Sequence, residues 1–384
     1  MMSIIDRKMD GLRGLGYGFP LIECVPNFSE GRDKKVIRSI ARAIRSVEGV
    51  ALLHVDANES ANRTVMTFVG KPDRVVEAAY LAIAEASKWI DMRVQKGEHP
   101  RIGATDVCPL VPLADISMEE VAELARGLGE RVGSELGIPV YLYEAAASRM
   151  ERKNLAAIRK GQYEGLGVKM GLVDWAPDFG PGFMNERSGA TVIGARDFLI
   201  AFNVSLETDD VKVAKAIAGE IREGRRGRDE GLRTMDEGRG TMDEGRGTRG
   251  LKGVKAIGWF MEIYGRAQVS MNITDISSTP VHVAFEACKA LAREYGVGVI
   301  GSELIGMVPE RVFLEAGGYY RWDVGCGMSE VGFEVWDRAD DSKGGDRRRL
   351  IQDGVVGLGL PFLKVSEYSK RILEVGIGKA FGHL

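Results

Sequence analysis

The strongest constraint on the fold is an order of hydrophobic periods that the chain runs through twice. In the second half, DFLIAFNVSL (197–206) has strand character and DDVKVAKAIAGEIRE has the period of a helix. LKGVKAIGWFM and RAQVSMNITD follow as a strand pair. In the latter, Val269, Met271 and Ile273 alternate with Gln268, Ser270 and Asn272, so one face is polar. STPVHVAFEACKALAREYG reads as a helix with Thr279 at the cap and Pro280 in the first turn, and VGVIGSEL closes the unit. This β-α-β-β-α-β order is the split βαβ pattern of ferredoxin-like folds.

The first half follows the same scheme. LIECVPNF (21–28) is a strand and DKKVIRSIARAIRSV (33–47) a helix, with Val36, Ile37, Ile40, Ala43 and Ile44 on one side. VALLHVD and RTVMTFVG are strands joined by the turn ANESAN, and a helix opens at Pro72. DVCPLVPL is an apolar run. The helix SMEEVAELARGLGERVGSEL has Ser117 at its cap, and IPVYLYE (138–144) is a further strand. The fold class expected is therefore α+β: two tandem ferredoxin-like subdomains with a ligand cleft between them. The expected boundaries are an N-terminal extension (1–20), a first subdomain (21–190), a second (191–325) and a C-terminal tail (326–384). Residues 221–250 carry the heptad TMDEGRG twice and almost nothing to bury, so a flexible insertion is expected there.

A length of 384 residues suits two domains. The net charge of −3 argues against a nucleic-acid binder that works by bulk electrostatics, and acids balance the arginines of the insertion. Cys24, Cys108, Cys288 and Cys326 have no metal-ligand spacing and read as buried free thiols, so no metal is expected. Neither a signal peptide nor a run of membrane-spanning length is apparent, and the expected location is the cytoplasm.

The stretch GEHPRIGATDVCPLVP (97–112) sets Glu98, His99, Pro100, Arg101 and Asp106 among glycines ahead of an apolar run. A lone loop histidine ordinarily satisfies backbone groups. Here a neighbouring carboxylate can orient the ring, and imidazole suits proton transfer near neutral pH. Pro100 restricts His99 to extended geometry, and Arg101 can grip a carboxylate with two prongs. His54 in a strand, His282 in a helix's first turn and His383 in the tail are weaker candidates. Asp56, in HVDANESANRTVMTF, either builds the turn or points into the same cleft as His99; the residues leave both open. DFGPGFMNERSGATVIGAR (178–196) reads as an interdomain hinge, or as exposed backbone N–H groups for a flat or anionic ligand. It precedes a strand and lacks the dinucleotide fingerprint, which excludes a Rossmann reading.

ECVPNFSEG (23–31), NRTVMTFVG (62–70), GEHPRIGATDVCPLVP (97–112), GIPVYLYE (137–144), WAPDFGP (175–181), GLKGVKAIGWF (250–260) and AQVSMNITD (267–275) together resemble the glutamate formimidoyltransferase (glutamate formiminotransferase) family. The resemblance covers roughly residues 20–320. It implies a folate-binding cleft, a homodimer, and transfer of the formimino group of N-formimino-L-glutamate to N5 of tetrahydrofolate, a co-substrate, as part of histidine breakdown. His99 takes the place of the family's acid/base. Gly180, Pro181, Gly182, Phe183 and Gly189 take that of its folate-binding segment. Asp56 would then orient His99 or stabilise charge, and Arg63 and Arg101 would attract substrate carboxylates. Gln268 and Asn272 are further candidates for substrate contact. Animal members carry a fused cyclodeaminase domain for which the tail here is too short, so the product is expected to pass to a separate enzyme. The alternatives are a related reaction on 5-formyl-tetrahydrofolate, a catalytically inactive folate-binding protein, and a structural dimeric scaffold.

Overall fold

A strand interrupted at a proline organises the first half of the protein. In the computed structural model, which describes residues 18–223, 250–322, 344–360 and 365–381, β1 (Leu21–Cys24) and β2 (Asn27–Phe28) both run between β4 (Arg63–Gly70) and β5 (Thr105–Ala114). Pro26 has no N–H for the ladder, and the chain steps across it using the carbonyls of Pro26 and Pro109, which accept from Met66 and Val25. With β3 (Val50–Asn58) on the outer side of β4, the order across the sheet is β3, β4, β1/β2, β5. That is the antiparallel arrangement of a β-α-β-β-α-β unit.

Its helices form where the periodicity places them. The carboxylate of Asp33 caps α1 (Lys34–Arg45) by accepting from the N–H of Lys35 at 2.7 Å, and Val36, Ile37, Ile40, Ala41 and Ile44 turn inward. α2 (Pro72–Trp89) starts on its proline. α3 (Met118–Leu136) starts on a capping box in which Ser117 and Glu120 satisfy each other's backbone N–H. The three helices bury one face of the sheet around Ile22, Cys24, Phe28, Met66, Phe68, Cys108 and Leu110. Burying a side chain of this size fully contributes about 1.5–3 kcal/mol.

The sheet then continues beyond the repeat. β7 (Thr191–Ala195) pairs parallel with β5, and β6 (Val140–Glu144) pairs parallel with β7. The strand that completes the first repeat is therefore the apolar run at 105–114, and the strand read at 138–144 belongs to an insertion. Between β6 and β7 the chain forms α4 (Leu155–Arg159) and α5 (Gln162–Met170). These cover the opposite face of β5–β7–β6, packing Ile158, Leu166 and Met170 on Val107, Tyr141, Tyr143 and Val192.

The second half is a four-stranded antiparallel sheet, order β11, β8, β10, β9. Its elements run β8 (Ile200–Leu206), α6 (Val211–Ile221), β9 (Val254–Met261), β10 (Arg266–Ile273), α7 (Val281–Glu294) and β11 (Val299–Ile305). The β-α-β-β-α-β expectation holds here element by element. One detail differs: α7 begins at Val281, and Thr279 gives its hydroxyl to the Lys252 carbonyl at 2.8 Å instead of capping the helix. Beyond this sheet, α8 (Arg311–Trp322) and α9 (Gly344–Gly357) meet through glycines. A β-carbon at Gly317 would fall 1.8 Å from the Leu350 carbonyl oxygen.

The chain divides into two compact units, one reaching Asp197 and including the last segment from Glu374, the other Phe198–Leu373. β7 thus belongs to the first unit, beyond the boundary read at residue 190. The expected N-terminal extension up to residue 17, the insertion over 224–249 and Cys326 lie outside the described residues. Among the described residues no helix is long and apolar enough to cross a membrane.

The loop 97–104 is seated by backbone on backbone. Gly103 and Gly189 form an antiparallel bridge, Ala104 donates to the Ser188 carbonyl at 2.8 Å, and Ala190 donates to that of Ile102 at 3.1 Å. Gly189 has φ +67°, and a β-carbon there would lie 2.1 Å from the Ile102 oxygen. Gly189→Ala is therefore expected to destabilise the first unit by about 2–3 kcal/mol. The check is the urea-unfolding midpoint beside that of Gly182→Ala, whose added methyl meets nothing within 4 Å.

Candidate functional site

The turn between β3 and β4 and the loop 95–101 are locked together by one amide. Asn62, at φ +46°, accepts from Gly31 N–H at 2.9 Å and donates to the Lys96 carbonyl at 2.7 Å, while Gln95 donates to the Asn62 carbonyl. Asparagine tolerates this left-handed backbone better than most residues. This junction brings His99 to Arg63, the first residue of β4.

Arg63 is the hub. Its Nε donates to Asn27 Oδ1 at 2.8 Å, and its NH1 lies 2.6 Å from His99 Nδ1 and 3.0 Å from Asp106 Oδ2. Asp106, fully buried at the foot of the loop, also accepts from Arg159 NH2 of α4 at 2.5 Å and from the Ile102 N–H at 3.0 Å. Two guanidiniums thus share one carboxylate beside the imidazole. Burial lowers the Arg63 guanidinium to about 10, against the opposing pull of Asp106, and leaves it charged at neutral pH. Burial, then the charges of Arg63 and Arg159, hold His99 well below the usual histidine value; the Pro100 carbonyl works the other way. The ring is neutral at pH 7.

The surroundings of Nδ1 give that neutral ring two uses. Pro100 O lies 2.8 Å from the same nitrogen that faces Arg63. When Nδ1 carries the proton and donates to Pro100, Nε2 is unprotonated and is a base. When Nδ1 accepts from Arg63, Nε2 carries the proton and is an acid.

The other candidates are placed as follows. Asp56 lies on β3 opposite Val65, on the side of the sheet that carries Arg63, with His54 Nε2 at 3.7 Å from its Oδ2. Arg101 is occupied differently from the expectation. It is buried, its two terminal nitrogens donate to the two carboxylate oxygens of Glu164 at 2.8 Å each, and its Nε donates to Gln95 at 2.8 Å. A guanidinium held by a forked partner on α5 secures the loop to that helix, and it is not presented to a substrate carboxylate. Gly180, at φ +84°, packs on α3, where a β-carbon on Gly133 would lie 2.5 Å from its nitrogen. With Gly189 pinned as well, the segment read as a hinge is held at both ends. Between them Gly182 is open and Phe183 is 73 % exposed, next to half-buried Pro181.

In the second unit, Gln268 is buried within a polar network on the sheet face turned from α6 and α7. It accepts from Trp259 Nε1 at 3.1 Å and donates to Ser205 Oγ at 2.9 Å and Glu303 Oε2 at 3.2 Å. Asn272, half-buried, continues the same row. Among the described residues no group of three His, Cys, Asp or Glu is arranged to hold a metal. Asp106, Arg159 and Asn27 complete the His99 cluster without having been candidates from the sequence. A carboxylate placed directly ahead of an apolar run was the available signal for Asp106; Arg159 has no local signal.

The family description "Formiminotransferase domain, N-terminal subdomain" matches residues 21–196, and "Formiminotransferase domain" matches 201–325. The chain belongs to the formiminotransferase family. It is 43% identical over 300 residues to the glutamate formimidoyltransferase of Streptococcus pyogenes serotype M1, covering 78% of this chain and 93% of that one. Its identity to the glutamate formimidoyltransferase of Thermoplasma acidophilum is 44% over 302 residues, 78% of this chain and 92% of that one. The formimidoyltransferase-cyclodeaminase of Dictyostelium discoideum is 47% identical over 300 residues, 78% of this chain. The chain spans about half the length of such two-function relatives, matching 52% of the Dictyostelium protein.

Two outcomes test these contacts. Asp106→Asn leaves two part-buried guanidiniums without their shared anion and is expected to cost about 3–5 kcal/mol of stability, read by chemical denaturation. Arg101 holds the Glu164 carboxyl down at about 2, below its unfolded value. Its stabilising contribution is therefore complete above pH ~4.3 and is lost as pH falls toward 2. Glu164→Gln should remove that part of the acid limb in a pH series of unfolding midpoints.

Proposed function

We propose that this chain transfers the formimino group of N-formimino-L-glutamate to N5 of tetrahydrofolate, giving 5-formimino-tetrahydrofolate and L-glutamate. The observation that carries the reading is a neutral His99 whose Nδ1 faces a donor, Arg63, and an acceptor, Pro100. The reaction needs one proton removed and one supplied. N5 attacks the amidine carbon and sheds its proton to His99 Nε2. The same nitrogen then returns a proton to the glutamate nitrogen as its bond to carbon breaks. Between the two steps His99 is an imidazolium that keeps its Nδ1 proton on the Pro100 carbonyl, and it ends as the same neutral base, so no net proton is consumed.

Fit to tetrahydrofolate is supported by the segment Gly180–Phe183. With no side chain at Gly182 and an exposed ring at Phe183, both backbone and an aromatic surface are open to a flat heterocycle. Asp56 lies on the sheet side of Arg63, where a carboxylate can stabilise the cationic amidine as it is attacked. Gln268 and Asn272 offer amide groups on the second sheet. The same reading takes the working enzyme as a cytoplasmic homodimer of histidine breakdown.

The test is turnover of N-formimino-L-glutamate and tetrahydrofolate, with the folate product identified by mass. His99→Ala should lower kcat by about 10²–10⁴-fold and leave the Kd for tetrahydrofolate within about twofold. Protonation of the ring removes the base, so kcat/KM should rise with pH through a value below 6.5 and be level at neutrality. A variant with near-normal turnover, or an ascending limb centred above 6.5, would count against His99 as the proton carrier.

A further inference from the structure

β3 does not keep a single alternation along its length. Before Leu53, Val50 pairs with Gly70 and Leu52 with Phe68, and Leu52 faces the core beneath the helices. The register shifts between Leu52 and His54, leaving Leu53 as an extra residue. After it, Val55 takes the core side opposite Met66. His54 and Asp56 are thereby turned to the other face, opposite Thr67 and Val65. A regular strand would have set His54 on the same side as Leu52. Bulges re-aim side chains in this way and are frequent beside active sites.

The row produced is His54, Asp56, then Asn58 paired with Arg63, whose guanidinium meets His99. In an antiparallel pair Asp56 is the diagonal neighbour of Arg63. Among the described residues His54 Nε2 is buried without a hydrogen-bond partner, and the Asp56 carboxylate lies 3.7 Å from it. A buried ring nitrogen left unbonded is costly. The bulge that brings it there places it next to one proposed reacting-site carboxylate.

We infer that His54 is a positioning residue for Asp56: its Nε2 fixes the carboxylate in the orientation that faces Arg63 and the reacting amidine. This rests on the reading of Asp56 as the charge-stabilising group of the site. His54 itself touches neither substrate. An Nε2–H donor moving closer by less than about 1 Å reaches hydrogen-bond length, which supplies the bond that His54 Nε2 lacks when the site is filled.

The experiment measures kcat and KM for both substrates in His54→Phe, His54→Gln, Asp56→Asn and the double variant His54→Phe/Asp56→Asn. Thermal midpoints are recorded alongside, so that a loss of folding is seen directly. The inference expects His54→Phe to lower kcat by about tenfold or more with both KM values within twofold. His54→Gln, which keeps an N–H donor, should recover most of that loss. In the Asp56→Asn background, His54→Phe should have no further effect on kcat, because the group it acts through is gone. A His54→Phe enzyme within twofold of the parent, or losses that multiply in the double variant, would overturn the inference while Asp56 keeps its role. Normal turnover in Asp56→Asn would overturn the reading of Asp56 and the inference with it. Should His54→Phe not fold, an impaired His54→Gln equal to His54→Asn would likewise refute donor positioning, and a Gln variant clearly better than Asn would uphold it.

Discussion

The carboxylate of Asp106 is the interaction on which the site depends. It is fully buried, and it gathers Arg63 from β4, Arg159 from α4 and the Ile102 N–H from the loop. These groups come from separate parts of the chain, so one anion sets the mutual position of sheet, insertion and loop. Burying a charge is favourable only with close and complete pairing, and the bonds here provide it. Burial of the ring, and after it the positive charge of the two arginines, disfavours protonation of His99. The contacts that pair the buried charges thus also help to set the protonation of the imidazole.

The second unit follows a different rule for its buried polar group. Gln268 has no charge to neutralise, only donors and acceptors to match, and Trp259, Ser205 and Glu303 match them. Tyr264 donates to the other oxygen of Glu303 at 2.6 Å, which extends the network to the end of the strand pair. Such a network orders the sheet face around it because a displaced member would leave its neighbours unsatisfied.

Much of this could be read from the residues, because the repeated order of periods reflects two sheets that each bury one side. Alternation in 267–273 marked β10, and the cap at Ser117 marked α3. The run 105–114 was harder, since every residue of β5 is buried and alternation vanishes when both faces are covered. His99 stood out through its company. Arg101 misled because its forked partner, Glu164, is far along the chain, and no local pattern announces such a pair. The bulge at Leu53 was equally hidden: VALLHVD has no glycine or other mark to distinguish a shifted register from a regular one. Distances set by distant pairing and by a single extra residue are invisible to periodicity.

The bridge between Gly103 and Gly189 has an evolutionary corollary. The two segments meet there through peptide groups, with no side chain between them. Nothing in that contact records which residues occupy the intervening helices or the exposed tip at Phe183. Descendants of this sequence can thus remodel the exposed tip around Gly182 and Phe183, provided Arg159 and Glu164 of the insertion are kept, while inheriting an unchanged seat for the histidine loop. What lineages cannot exchange is the absence of a β-carbon at those two glycines.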